Sequence, residues 1–411
     1  MTIDRFNNTV LFVAILCSVH FFGLYYNFGA KLNVLIDLIF ILCVFLFFYT
    51  NKKMGTVSQV NSKILTLYIK YFYLFLIFLF ISTISCLYFH DQNMLRTIQA
   101  MRTFLYFIIF FMLIKSSIPK DKLETVCYIF LFCYCIVFSL QLAVFPTEIV
   151  PLGRADEFDR GFLRLRLEGV GFVTLVGMLS LNKYLSTKRL KHIVVLAICF
   201  IFIYLLGFRT LLLTYLLSLM LLVYFFYKNL SLAILINCLV IGLGILLYQS
   251  GIGVDFLEEN IELTSNQLED FDDYIRVLTY RFLFEDTSPS QFALLFGNGF
   301  PYLGSQYGYD VLYVGTELNG FIAADLGLLG FAFYFGGITT FIYILMLITP
   351  MFKRFKKESV YLKVYGFYLV ISSFTTAESF RIGIFGVICI YLYLVVLEAG
   401  SNAEPLNKAS N

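Results

Sequence analysis

Charge is scarce in this chain: 14% of its 411 residues are Asp, Glu, Lys or Arg, 60% are hydrophobic, and the mean hydropathy is +0.84. A soluble globular domain carries roughly 25% charged residues, so this composition excludes one and points to a bilayer. The period-2 alternation of a membrane β-barrel, in segments of about 10 residues, is also missing. What recurs instead are long, nearly uncharged runs, each able to cross a hydrocarbon core of about 30 Å as a helix of about 20 residues. Histidine is rare and scattered, at His20, His90 and His192. Neither a zinc site nor a histidine base is therefore expected. The nine cysteines lie inside hydrophobic runs with no CxxC spacing, which reads them as small core or lipid-facing residues rather than disulfides or metal ligands. There is no G-x-S-x-G elbow and no Walker loop, so neither a serine triad nor ATP-driven transport has support. No metal, nucleotide or other cofactor is expected. A net charge of +3 implies no nucleic-acid partner; the molecules in contact with most of the surface are membrane lipids.

The expected fold is an all-α polytopic membrane protein of about twelve transmembrane helices (10–12), forming one integral membrane domain over 1–411. The first apolar run continues to about residue 26 without an A-x-A-like cleavage site and is read as a retained helix rather than a signal peptide. Further spans are expected at about 33–50, 70–89, 97–115, 124–146, 167–185, 192–207, 209–227, 231–249, 321–349, 360–377 and 381–398. Lysine-rich connections, such as Lys115, Lys120 and Lys122 or Lys353, Lys356 and Lys357, alternate along this order. By the positive-inside rule they are cytoplasmic, which places both termini in the cytoplasm and the loops at about 147–166 and 250–320 outside the plasma membrane.

With sides assigned, the two basic residue types separate. Of 17 lysines only Lys31 falls outside, whereas 10 of 13 arginines do: Arg96, Arg102, Arg154, Arg160, Arg164, Arg166, Arg209, Arg276, Arg281 and Arg381. The topology rule does not require this. A guanidinium fork matches phosphate or carboxylate oxygens in pairs, so the set favours an anionic ligand at the outer interface. The competing reading pairs these arginines with acids such as Asp156, Glu157, Asp159, Glu168, Asp272 and Asp273, or with lipid headgroups. Arg276 and Arg281 lie in an aromatic, helix-like run within an otherwise acidic loop. The "GNG" at 297–299 is a turn signal and a weak phosphate loop.

Carboxylates remain as the chemical groups outside. Glu317 and Asp325 stand at the start of a span, and Glu378 lies beside Arg381. Asp325 and Glu378 would be costly at membrane depth unless paired or facing water, although each could simply cap a helix or form an ion pair. Asp37 is read as a structural hydrogen-bonding residue. Tyr302, Tyr307, Tyr309 and Tyr313 make a polar aromatic surround suited to the CH faces of sugars, with Tyr302 and Tyr313 the candidate sugar contacts.

Four stretches together resemble the O-antigen polymerase and O-antigen ligase superfamily of bacterial envelope glycosyltransferases. They are Arg166-x-x-Gly169 entering a span; "GFRTLLLTYLLSL" at 207–219; Arg276 or Arg281 followed by "LLFGNGFP"; and a polar residue ten or eleven positions before Gly327-x-x-Gly330. The ligases of that superfamily carry a histidine before the glycine pair, where this chain has Thr316 and Glu317; the departure argues for a polymerase. The resemblance implies transfer of a glycan from undecaprenyl diphosphate to the sugar end of a second lipid-linked repeat unit, outside the plasma membrane and without metal or nucleotide. It implies that Arg166, Arg209 and Arg276 or Arg281 hold the diphosphate, and that Glu317 or Asp325 takes the hydroxyl proton. A polysaccharide chain-length regulator is the partner it suggests. A ligase is the alternative within this class and a lipid-linked glycan flippase the alternative outside it, the latter disfavoured by the nearly uncharged midplane and the lack of a convincing internal repeat.

Overall fold

The computed structural model describes residues 3–24, 30–51, 63–150, 165, 167–228, 274–376, 378–381 and 383–401. Among these residues the chain is helical, with no strand. The helices are α1 (Ile3–Ser18), α2 (Ala30–Asn51), α3 (Lys63–His90), α4 (Met94–Ala100), α5 (Ile108–Ser116), α6 (Lys120–Val144), α7 (Val170–Thr187), α8 (Leu190–Leu205) and α9 (Arg209–Tyr227). They continue with α10 (Ile275–Arg281), α11 (Gln291–Phe296), α12 (Leu328–Phe335), α13 (Gly337–Ile348), α14 (Val360–Thr375) and α15 (Phe385–Ser401).

Four stretches are long and apolar enough to cross a membrane: Asn33–Asn51, Lys63–His90, Lys120–Val144 and Thr210–Tyr227. A fifth candidate is broken, with Met94–Ala100 and Arg102–Ser116 meeting at 59°, so the run expected as one straight span at 97–115 is bent. Shorter apolar helices occupy Arg5–Ser18, Leu190–Leu205, Gly337–Phe352 and Phe385–Gly400. The run expected at 321–349 is likewise divided, by a 3-10 turn at Ala323–Leu326 and a break at Gly336. The span expected at 231–249 lies outside the described residues, as does most of the loop expected at 147–166.

Burial separates interior helices from peripheral ones. Helix α7 packs against α6, α8, α9 and α14 and is buried on every side through its first three turns. Small residues allow this: the Tyr365 hydroxyl donates to the Gly171 carbonyl at 3.1 Å, and a Cβ on Gly177 would fall 1.9 Å from the Tyr215 hydroxyl. Such close approach is the usual means of joining helices where the surroundings are as apolar as the helices. Helix α15 is also almost wholly buried. By contrast α2 leaves Leu35, Leu38, Leu42, Phe45 and Tyr49 exposed along one stripe, the face a lipid would cover.

The two ends of the bundle differ chemically. One is a lysine end. There Lys183 Nζ lies 2.6 Å from Glu124 Oε2, Lys120 Nζ lies 3.1 Å from Glu398 Oε2 and also donates to Ser359 Oγ, and the Tyr361 hydroxyl donates to Glu124 Oε1 at 3.0 Å. Lys188 and Lys363 stand over the rings of Tyr227 and Phe225. The opposite end, called the loop face below, carries residues 274–327 and the α14–α15 turn.

The loop-face segment is fastened to the bundle by backbone contact. The Asn298 and Gly299 amides donate to the Phe333 and Tyr334 carbonyls at 3.0 and 2.8 Å, next to the break at Gly336. "GNG" is therefore a docking strip. Gly297 has φ +97, and a Cβ there would lie 2.5 Å from the Tyr334 carbonyl oxygen. Gly297→Ala meets both the left-handed backbone penalty and a backbone clash, and is expected to cost more than about 1 kcal/mol. The expected readout is a lower thermal midpoint in detergent and faster protease cleavage within 288–305; an unchanged midpoint and cleavage pattern would refute this role.

Candidate active site at the loop face

Gln92, 1% exposed, organises the frame of this face. Its Nε2 donates to Thr97 Oγ1 (2.7 Å) and the Phe300 carbonyl (2.9 Å), while its Oε1 accepts from the Tyr302 amide (2.9 Å) and Ser305 Oγ (2.6 Å). Every hydrogen-bonding position of the amide is used, which a buried polar side chain requires. His90 adds a second anchor, stacking on Tyr307 at 3.9 Å with its Nε2 3.0 Å from Asn298 Oδ1. The turn at 298–308 is thus held rigidly against the ends of α3 and α4.

Two of the arginines on this side have identifiable structural partners. Arg96 donates to the Gly304 carbonyl at 2.7 Å and stands 5.6 Å from the Tyr302 ring centroid, so one face of that candidate sugar contact is covered. Arg102 Nε pairs with Asp37 Oδ2 at 2.7 Å; Asp37 Oδ1 accepts from the Tyr106 hydroxyl at 2.9 Å, and that hydroxyl lies 3.0 Å from His20 Nε2. Asp37 has the hydrogen-bonding environment expected of it.

The remaining candidates occupy the rim. Arg276 is half-buried with its guanidinium 6.0 Å from the Tyr274 ring, and Arg281 is exposed at the end of α10. Helix α10 packs on the 3-10 turn Ala323–Leu326, which carries the exposed Asp325 and also touches α14. Glu317 is exposed near the end of a π-helical segment, Tyr309–Leu318, where Tyr313 stacks on Tyr309 at 5.1 Å. The Gly327-x-x-Gly330 pair fits these turns together, because a Cβ on Gly330 would fall 1.9 Å from the Ala323 carbonyl oxygen. Arg209 opens α9, and its side chain lies outside the described residues, as does all of Arg166. The structure therefore brings α10 and the Asp325 turn together, whereas Tyr302 belongs to the Gln92 frame.

A tighter convergence lies where α7 begins and the α14–α15 turn returns. Glu378 and Arg381 line a narrow crevice there with Gly169, Gly171 and Gly383, and Glu168 packs beside it against Gly383. Glu378 is 4% exposed. Glu168 is half-buried as a residue, but its Oε2 is sealed from solvent without a hydrogen-bond partner among the described residues. That oxygen rests against Gly383, where a Cβ would stand 2.5 Å away. Burial raises the Glu378 carboxyl to about 7, against the pull of Arg381. Arg381 reaches across to the residue before α9, with its guanidinium 5.7 Å from the Phe208 ring centroid. From the sequence Glu378 was a candidate, but Glu168 was only one possible arginine partner; its place two residues after Arg166 and directly before Gly169 was the available signal.

A cavity of about 630 Å³ lies elsewhere, between Asn7, Asn51, Lys115 and Lys122 at the lysine end. It contains no carboxylate and none of the expected site residues. Among the described residues no group of histidine, cysteine or acidic side chains could hold a metal ion.

No curated protein and no solved structure matches this chain. A family model described as "Putative O-antigen polymerase" matches residues 31–285, from α2 through α10. The match takes in Arg102, Glu168, Arg209, Arg276 and Arg281 and covers well over half of the sequence, so the chain belongs to the O-antigen polymerase family.

Proposed function

We propose that this protein polymerises oligosaccharide repeat units carried on undecaprenyl diphosphate into a surface polysaccharide, on the outer face of the plasma membrane. The observation that carries the reading is the placement of the α10 arginines, Arg381 and the α9 start bearing Arg209 at the loop face, opposite the lysine end, in a chain of this family. On the positive-inside rule the lysine end is cytoplasmic, which puts both termini there and the loop face outside. Departure of a lipid diphosphate concentrates negative charge on its oxygens, and guanidinium groups fixed in advance stabilise that charge without reorganising. Arg166, Arg209, Arg276 and Arg281 are assigned this role, Tyr302 and Tyr313 are assigned to sugar contact, and Glu317 and Asp325 are the rim carboxylates within reach of a proton. Neither a metal nor a nucleotide is required by this chemistry, and a chain-length regulator is the partner the reading suggests.

The test is where the lipid-linked single repeat unit accumulates when the protein is removed. A polymerase predicts accumulation on the outer leaflet, accessible to a membrane-impermeant glycosidase. Accumulation on the inner leaflet would mean a flippase and would overturn the proposal.

A further inference from the structure

We propose that the cavity between α1, α5 and α6 at the lysine end binds an anionic phospholipid of the cytoplasmic leaflet. Its phosphate would sit at Lys115 and Lys122, and its acyl chains would run inward between α1 and α6. The inference does not depend on the polymerase reading.

The shape follows from how the helices part. Phe12 of α1 packs on Phe130 of α6 with ring centroids 5.1 Å apart, which closes the two helices against each other inside the bundle. Nearer the lysine end they separate around an opening of about 630 Å³, lined by Leu123 and Val126 on the α6 side and by Leu11, Phe12 and Ile15 on the α1 side. That volume lies within the roughly 300–1,000 Å³ of an ordinary ligand site. At about 1.5 Å per helical residue, the wall from Asn7 to Ile15 is about 12 Å deep, so an occupant reaches well below the membrane interface.

Polarity is graded along that depth. The inner walls are apolar, whereas the mouth carries Asn7, Asn51, Lys115, Ser117 and Lys122. Asn7 and Asn51 are buried and bonded to each other, Nδ2 to Oδ1 at 3.2 Å, and Asn51 Nδ2 donates to the Phe47 carbonyl at 2.8 Å. Each amide uses one of its two N–H groups in these bonds, so donors remain. At the same end Lys120 and Lys183 are held by Glu398 and Glu124. Lys115 and Lys122 have no such acid: among the described residues neither is ion-paired and no carboxylate lines the cavity. Asp121, on the same turn as Lys122, is exposed and is not part of the lining.

An apolar slot with an uncompensated positive mouth fits an amphiphile with an anionic head. A soluble anion would use the mouth and leave the apolar walls wet. A zwitterionic lipid would fill the walls but bring a cation of its own to the lysines. On the positive-inside rule this end is cytoplasmic, and basic pockets between spanning helices on that side bind anionic headgroups.

The chain contains no tryptophan, so Phe12→Trp places a single fluorophore in the wall, and Val126→Trp repeats the measurement from the facing wall. The full-length protein is reconstituted in phosphatidylcholine vesicles containing a minor fraction of lipid brominated on its acyl chains, either phosphatidylglycerol or phosphatidylcholine. Quenching gives the relative affinity of the two. Phosphatidylglycerol should be favoured by about thirtyfold, each lysine contributing about fivefold. Adding Lys115→Gln and Lys122→Gln should bring the two lipids to near parity, while Lys115→Arg with Lys122→Arg should keep most of the preference. Lys353→Gln with Lys356→Gln, at exposed lysines outside the cavity, should leave it unchanged. Equal quenching by both lipids, no quenching by either, or a preference that survives the double glutamine variant overturns the proposal. So does a preference lost equally with Lys353→Gln and Lys356→Gln, which would assign it to the general field of the lysine end. Displacement of the lipid by soluble glycerol 1-phosphate would mark a site for a free anion and would overturn it as well. None of these outcomes bears on chain extension, so the polymerase reading is tested separately.

Discussion

Glu124→Ala should be the most destabilising single substitution at the lysine end, by about 3 kcal/mol. The carboxylate is 3% exposed and meets three groups: Lys183 at 2.6 Å, the Tyr361 hydroxyl at 3.0 Å and Lys120 at 3.9 Å. Removing it strands an ammonium between α6 and α7 and leaves a buried phenol without its acceptor. Stranded charge is what makes breaking a buried pair costly, often about 3–5 kcal/mol. The lower end applies because Lys183 remains 33% exposed and Lys120 23%, so water screens part of the loss. Glu124→Gln keeps an acceptor for Tyr361 and should lose less. Lys183→Met combined with Glu124→Ala should recover part of the loss, because the stranded charge is gone. The check is the unfolding midpoint in detergent for the three variants. Equal midpoints for Glu124→Ala and wild type would show that the cluster contributes nothing to holding α6, α7 and α15 together.

Arg209→Ala and Arg276→Ala should each reduce polymer formation about 10²- to 10³-fold, the usual effect of deleting one fixed donor to a developing anion. Lysine at either position should restore only part of the activity, since an ammonium keeps the charge but not the planar fork. Arg96→Ala supplies the contrast. Its guanidinium donates to the Gly304 carbonyl, so its loss should loosen the 298–308 turn and lower protein level rather than turnover per molecule. Polymer amount normalised to membrane protein, measured across these variants, separates the two effects. Wild-type yield from Arg209→Ala and Arg276→Ala at equal protein level would remove those residues from the chemistry.

Much of the helical plan was legible because a bilayer makes one demand, a long uncharged run, and such runs are visible in composition. What composition could not show was which runs lie inside. Helices α7 and α15 are as apolar as α2, yet they are buried among other helices while α2 leaves a leucine and aromatic stripe exposed. Lipid tails and a protein core select the same residues, so their sequences do not separate these cases. The breaks at Gly336 and before Arg102 escaped for a related reason, since hydropathy averages over a bend. The lysines served as markers of one end, but the pairing of Lys183 with Glu124 joins two helices, and that of Lys120 with Glu398 joins residues 278 positions apart. At the site, the separation of arginine from lysine was readable, and so was Glu378. The convergence of Glu168 with Glu378 and Arg381 was not, because a glycine-to-glycine approach at Gly169 and Gly383 creates it.

The central claim is that this chain lengthens a glycan before it is attached to its final acceptor. The most direct measurement is a gel profile of surface polysaccharide from a deletion strain complemented with wild type, Arg209→Ala or Arg276→Ala, with membrane levels checked by immunoblot. The prediction is a full ladder with wild type, collapsing to a single capped repeat unit in the empty strain and in each variant. A ladder that persists in the deletion strain, or loss of every capped species while polymer accumulates on its lipid carrier, would contradict it.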